Sequence, residues 1–174
     1  AGLNIDIQEN DAVSFGQYTG IYGVYQPDTI ANFTWKDATF ILTANEGDAR
    51  EYFFDAADEA ACTAAGGVDF DEDDGCLAYT DEVKVEDLTA AANSELAMLQ
   101  ATGEADDLRV TSAMGDADGN GEYDAAYAYG ARSFTIWDQN GLVVYDSGDD
   151  FERITASVHG AQFNNGDDEN ASDS

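Results

Sequence analysis

The stretch Asp116-Ala-Asp118-Gly-Asn120-Gly121-Glu122-Tyr-Asp124 constrains this chain more than any other, because oxygen side chains recur at every second position with glycine at the sixth. That spacing lets a backbone wrap a hard cation. Asp116, Asp118 and Asn120 offer side-chain oxygens, Gly121 takes the sharp turn, Glu122 offers its carbonyl, and Asp124 closes the shell directly or through water. The ion this chemistry selects is Ca²⁺. An EF-hand is excluded, since the twelfth position, where a bidentate Glu is required, holds Tyr127. The flanks decide what the loop connects. Leu108 to Ser112 and Ala131 to Trp137 alternate and carry β-branched and aromatic residues, so the loop is expected to join two strands.

The same β signal recurs elsewhere, and the fold class it predicts is mainly β with short helices, built from antiparallel hairpins. Tyr18 to Tyr25 reads as a strand stopped by Pro27, the only proline. Thr29 to Trp35 and Thr39 to Thr43 form a hairpin across Lys36-Asp37-Ala38. Ala131 to Trp137 and Leu142 to Asp146 form a second across Asn140-Gly141, a strong turn pair. The two hairpins would fit two blades of a sheet-repeat architecture. Helices are expected from Glu51 to Ala65 and from Asp87 to Gln100, where Leu88, Ala91, Ala92, Leu96 and Leu99 share an apolar face. Phe151 to Val158 fits a strand or one helical turn. Tyr22, Tyr25, Trp35, Phe40, Phe134 and Trp137 sit at strand positions where alternation buries every second side chain, and are expected mostly in the core.

Charge narrows the partners. Thirty-seven acidic residues against six basic ones give a formal charge of −31. Nucleic acid is excluded, because repulsion replaces the counterion release that drives such binding. Two origins of the charge stay open. Salt of about 1 M shortens the screening length to roughly 3 Å and makes dense carboxylates tolerable; alternatively, further calcium ions neutralise clusters such as Asp146, Asp149, Asp150 and Glu152, the first three being a candidate second metal set. Arg50 and Arg132 are candidate anion-binding groups, weighed against simple pairing with surrounding carboxylates.

Cys62 and Cys76, the only cysteines, bracket a Gly- and Asp-rich segment and are expected to form a disulfide, which for a loop of this size stabilises by about 3 kcal/mol in the chain-entropy model. A disulfide and a calcium loop together point outside the cell or to its surface. No run of apolar residues approaches the ~18 needed to span a membrane. The expected organisation is a single β-rich, calcium-binding domain over 1–163, with a disulfide-closed insertion near 53–86, and a polar acidic tail over 164–174.

Three segments together carry a family resemblance: Tyr25-Gln-Pro-Asp28; Ile41-Leu-Thr-Ala-Asn45-Glu46-Gly-Asp48-Ala-Arg50-Glu51-Tyr; and Gly130-Ala-Arg132-Ser-Phe-Thr-Ile-Trp-Asp138 running into Tyr145-Asp-Ser-Gly-Asp-Asp-Phe151-Glu. The chain resembles the secreted bacterial choice-of-anchor I proteins, which are similar to mesenchyme-specific cell surface glycoproteins and are sometimes labelled alkaline phosphatases. The resemblance runs from about Gly2 to the end. It implies part of a β-propeller, and it matches a middle portion of family members several hundred residues long.

The functional expectation is an extracellular, calcium-stabilised structural or adhesive domain that assembles with copies of itself or with cell-surface and matrix components. The alternative implied by the family label is a Ca²⁺-dependent phosphoesterase. Against it, no G-x-S-x-G elbow occurs, and His159, the only imidazole, has no catalytic spacing.

Overall fold

The computed structural model describes residues 5–7, 13–160 and 163, so the tail over 164–174 lies outside the described residues. Three sheets and a few short helices make the fold, and no closed barrel forms among the described residues. The chain is mainly β, as its alternation predicts.

The largest hairpin arises from a two-residue turn. Lys36 and Asp37 both adopt positive φ, 49° and 62°, which matches the twist of flanking strands. Strand β2 (Thr29–Trp35) therefore folds back directly onto β3 (Ala38–Asn45), closing on the pair Trp35 and Ala38. The second hairpin, β10 (Ser133–Asp138) and β11 (Val143–Asp146), turns at Asp138, whose carboxylate accepts the N–H groups of Asn140 (2.8 Å) and Leu142 (2.9 Å). These hairpins do not form separate blades. β10 pairs with β3 along its whole length, from Ser133 opposite Asn45 to Asp138 opposite Phe40, giving one antiparallel sheet in the order β11-β10-β3-β2.

A second sheet orders β1 (Ile21–Val24), β9 (Ala126–Tyr129), β8 (Arg109–Thr111) and β7 (Glu82–Lys84). Its β1 and β9 run parallel and its other neighbours antiparallel. The third sheet, β4 (Glu51–Phe54), β6 (Gly75–Thr80) and β5 (Asp69–Asp71), lies largely within the insertion near 53–86.

Both expected helices are shorter than the composition suggests. Glu51–Phe54 is strand rather than helix, because its aromatic run finds cross-strand partners: Tyr52 lies opposite Tyr79, with ring centroids 5.8 Å apart. Helix α1 (Glu59–Ala64) starts only where Asp58 caps it, accepting the Ala61 N–H at 2.8 Å. Likewise α2 is confined to Glu95–Gln100, capped by Ser94. Asn93 turns left-handed just before it (φ 63°), and the backbones of Thr89 and Ala91 are taken by Tyr123 rather than by a helical ladder. The leucines of the apolar stripe still go inward, though Ala92 is exposed: Leu88 and Leu96 join Val85, Val110 and Ala126 in one core cluster, while Leu99 packs with Ile7 and Ala105 in another. In contrast, Asp150–His159 forms a full helix, α3, longer than the single turn or strand expected.

The strand aromatics break the expected alternation in the sheet β11-β10-β3-β2. Its buried residues are the polar ones, Thr43, Asn45, Ser133 and Thr135. They bond across strands: the Asn45 amide donates to Ser133 Oγ (3.0 Å) and Thr135 Oγ1 (2.7 Å), while Trp137 Nε1 donates to Thr43 Oγ1 (3.0 Å). The opposite face carries Ala31, Phe33, Phe40, Leu42, Phe134 and Ile136, and none of these is buried. Apolar residues stay half-wet there because, among the described residues, neither core cluster draws a member from this sheet.

Candidate functional site

The calcium-type loop leaves β8 and enters β9, so two strands do flank it, the second nearer than the Ala131–Trp137 run. Its base is rigid for identifiable reasons. Asp124 N–H bonds to the Gly115 carbonyl (2.9 Å), Leu96 N–H to the Asp124 carbonyl (3.2 Å), and Tyr123 exchanges backbone bonds with Thr89 and Ala91. The Tyr123 hydroxyl donates to the Ser112 carbonyl at 2.8 Å. Gly115 (φ 103°) permits the closure, since a Cβ there would stand 2.1 Å from the Ala125 carbonyl oxygen.

Inside the loop Asp116 is the hub. Its carboxylate accepts N–H groups from Gly119 (2.8 Å), Asn120 (3.1 Å) and Gly121 (2.8 Å). Asp118 accepts the Asn120 N–H at 3.2 Å, and Asn120 Oδ1 accepts the Glu122 N–H at 2.7 Å. The Gly121 N–H, then burial working the other way, then the Gly119 and Asn120 N–H groups leave the Asp116 carboxyl below its ordinary pKa. Asp116 is thus ionised at neutral pH. The donor set fits calcium: carboxylates, an amide and backbone carbonyls are the hard oxygens that ion takes. Asp118, Asn120, Glu122 and Asp124 are exposed, and among the described residues no three acidic, His or Cys side chains converge into a ready cage.

The other predicted site residues are engaged elsewhere. Asp146 accepts hydrogen bonds from the Tyr25 hydroxyl, Thr135 Oγ1 (2.7 Å) and Gly148 N–H (2.7 Å). Asp149 offers its carbonyl to Arg153 N–H (3.0 Å), and Asp150 pairs with the Arg153 guanidinium and accepts the Tyr145 hydroxyl. Arg50 makes a forked contact with Asp81 through Nε (2.9 Å) and Nη2 (2.7 Å), and Arg132 pairs with Glu152 at 2.7 Å. Cys62 and Cys76 form the expected disulfide, with Cα atoms 5.3 Å apart.

Three carboxylates are buried among the described residues, Asp6, Asp81 and Glu152; no spacing rule marks Asp6 or Asp81, and Glu152 is the last member of the acidic cluster that begins at Asp146. Asp81, 3 % exposed, collects the Arg50 guanidinium, the Arg50 N–H (2.8 Å), Thr111 Oγ1 (3.1 Å) and the Tyr129 hydroxyl (3.2 Å). It ties the residue that leads into β4 to β8 and β9, where the third sheet meets the second. Glu152, also 3 % exposed, has one carboxylate oxygen on Arg132 and the other without a hydrogen-bond partner. A cleft of roughly 1440 Å³ lies nearby, with Arg132, Arg109 and Lys84 on its wall. Each of these cations is paired, with Glu152, Glu82 and Asp107 respectively. Across it, a hydrogen bond with Asp28 raises the Glu46 carboxyl above its usual range.

Asp81 and Glu152 respond to pH with opposite signs. Burial pushes the Asp81 carboxyl up, but hydrogen bonds from the Arg50 N–H and guanidinium and from Thr111, with the guanidinium charge, hold it net below the ordinary value. Its stabilisation is present above the unfolded pKa of about 3.9 and is lost as pH falls through the lower folded value. For Glu152, burial raises the pKa, Arg132 offsets part of that, and Asp6 and Asp149 raise it further. Stability therefore declines as pH climbs from the unfolded value of about 4.3 through the folded one. Repulsion across a chain of formal charge −31 acts in the same direction as Glu152. The urea midpoint is expected to peak near pH 5, stand lower at pH 7 and collapse below about pH 4. A midpoint that climbs steadily to pH 8 would contradict this balance.

Together these features define an acidic, disulfide-stapled, mainly β domain. The chain belongs to the choice-of-anchor I family, whose choice-of-anchor I domain model matches residues 1–174. The family suggests a cell-surface anchoring role, at the cell surface or outside the cell. Neither the curated proteins nor the solved structures yield a match. No helix among the described residues is long and apolar enough to cross a membrane.

Proposed function

We infer that this domain is a calcium-stabilised structural or adhesive element of the cell surface that assembles with copies of itself. One observation carries the calcium reading: the 116–124 loop combines a hard-oxygen donor set with a base fixed to the core cluster by backbone bonds through Tyr123 and Asp124. Asp116, Asp118, Asn120, the Glu122 carbonyl and Asp124 would hold the ion, and the charge it supplies would neutralise carboxylates that otherwise repel. Clamping β8 to β9 in this way stiffens the sheet that also carries Asp81's partners Thr111 and Tyr129. A phosphoesterase reading gains nothing from the arginines, since Arg50 and Arg132 are both committed to buried carboxylates.

Melting with and without chelator tests the reading. Calcium at ~100 times its dissociation constant adds about 2.7 kcal/mol for a site present only in the folded form, equivalent to roughly 5 to 10 °C for a domain of this size. Identical melting curves in calcium and in chelator would sink the calcium assignment.

A further inference from the structure

Strand β2 is exposed at all of its positions, from Thr29 to Trp35, although it belongs to a four-stranded sheet. Ile30 is 70 % exposed and Trp35 58 %. Among the described residues it is an edge strand, bonded only to β3. Three devices that usually blunt an edge are absent from it: it holds no charged residue and no proline, and its register with β3 runs unbroken by a bulge.

The direction of its free backbone groups follows from the hairpin. A two-residue turn with positive φ at both positions closes on a hydrogen-bonded pair, here Trp35 and Ala38. Hydrogen-bonded and open pairs alternate along an antiparallel ladder, so Phe33, Ala31 and Thr29 bond inward with Trp35. Ile30, Asn32 and Thr34 turn their N–H and C=O groups outward.

We propose that this edge pairs with the same edge of a second copy, antiparallel and in register about a two-fold axis at Asn32. That arrangement sets Asn32 against Asn32, Ile30 against Thr34 and Ala31 against Phe33, and every outward backbone group meets one from the other copy. The sides agree as well: Ala31 and Phe33 lie on the apolar face, and Ile30 and Thr34 on the other. Two four-stranded sheets become one continuous sheet through an isologous contact.

Charge selects a second copy as the occupant. From Thr29 to Asn45 the only charged residues are Lys36 and Asp37, which cancel, in a chain whose formal charge is −31. A basic partner would be drawn to the acidic remainder of the surface. Two copies of this chain repel everywhere except at a strip such as this, where the matching surface is equally uncharged and apolar. This proposal rests on the self-assembly in the proposed function and names its surface.

Sedimentation of the 174-residue chain, over micromolar to millimolar concentration in about 1 M salt to screen repulsion, tests it. The expected result is a monomer–dimer equilibrium. Asn32→Pro removes an outward N–H without touching the β3 ladder, and should weaken dimerisation about tenfold or more. Thr34→Lys places a charge at the edge and should do the same, which guards against a proline variant that folds poorly. A dimer indifferent to both substitutions overturns this surface while leaving self-assembly standing. A monomer at every concentration, as an edge reserved for a different protein would give, overturns both.

Discussion

Asp81→Ala is expected to lower the free energy of unfolding by about 3 kcal/mol, read as a drop in the urea midpoint at neutral pH, because breaking a buried pair strands the groups that remain. Arg50 itself loses little, since its side chain is 58 % exposed and water can replace the carboxylate. The cost falls on donors that solvent cannot reach as easily: the Arg50 N–H, the Thr111 hydroxyl and the Tyr129 hydroxyl, which all converge on the same two oxygens. Asp81 also offers its backbone carbonyl to Ser112, so the segment it anchors leads directly into the calcium-type loop. Arg50→Ala should cost clearly less than Asp81→Ala. If the two substitutions cost the same, the ion pair rather than the buried network would be the source of the stability.

Gly130→Ala should be at least as damaging, by about 3 kcal/mol or more, since it combines a left-handed backbone with overpacking. Gly130 has φ 65°, and a Cβ there would lie 1.4 Å from the Glu46 carbonyl oxygen. That oxygen belongs to backbone and cannot rotate away. The neighbouring Asn45 carbonyl accepts both Ala131 and Arg132 N–H groups, so shifting this crossing would also disturb the β3–β10 pairing that fuses the two hairpins. Gly141→Ala is the control. It has φ 77° but nothing within 4 Å of the added Cβ, so it should show only the conformational cost of about 1 kcal/mol. Equal losses at the two positions would show that crowding at Gly130 is relieved more easily than its surroundings suggest.

Local chemistry was legible in the sequence wherever a short-range rule decided the outcome. The Asn140-Gly141 turn, the hairpin at Lys36-Asp37 and the disulfide between Cys62 and Cys76 each depend on residues adjacent in the chain or on a two-member choice. Helix lengths were not, because alanine-rich composition cannot show that Tyr52 will find Tyr79 or that Tyr123 will take the backbone of Ala91. Those competitors are distant in sequence. The union of the two hairpins into one sheet has the same character, since nothing in either hairpin names its partner. Nor does a strand pattern say which face will be covered. Alternation places Phe33, Phe40 and Phe134 on one side of a sheet, yet the residues actually buried lie on its other side, Thr43, Asn45, Ser133 and Thr135, stabilised by hydrogen bonds to one another. Of the candidate site residues, those of the 116–124 loop are joined by hydrogen bonds to the Asp116 carboxylate. Asp146, Asp149 and Asp150 lie close in sequence but have separate duties, because Asp146 ends β11 and bonds to Thr135 while Asp150 opens α3 and bonds to Tyr145 and Arg153.

Calorimetric titration of Ca²⁺ into the 174-residue chain, alongside Asp118→Ala and Asp124→Ala, is the most direct test of the calcium-stabilised reading. These two positions are preferable to Asp116, whose carboxylate also satisfies three backbone N–H groups and whose loss would unsettle the loop with or without metal. The account predicts binding in the range of about 10⁻⁴–10⁻³ M or tighter, as in extracellular calcium modules, weakened by roughly tenfold or more in either variant. No heat of binding at millimolar calcium, or binding that both variants retain unchanged, would contradict it.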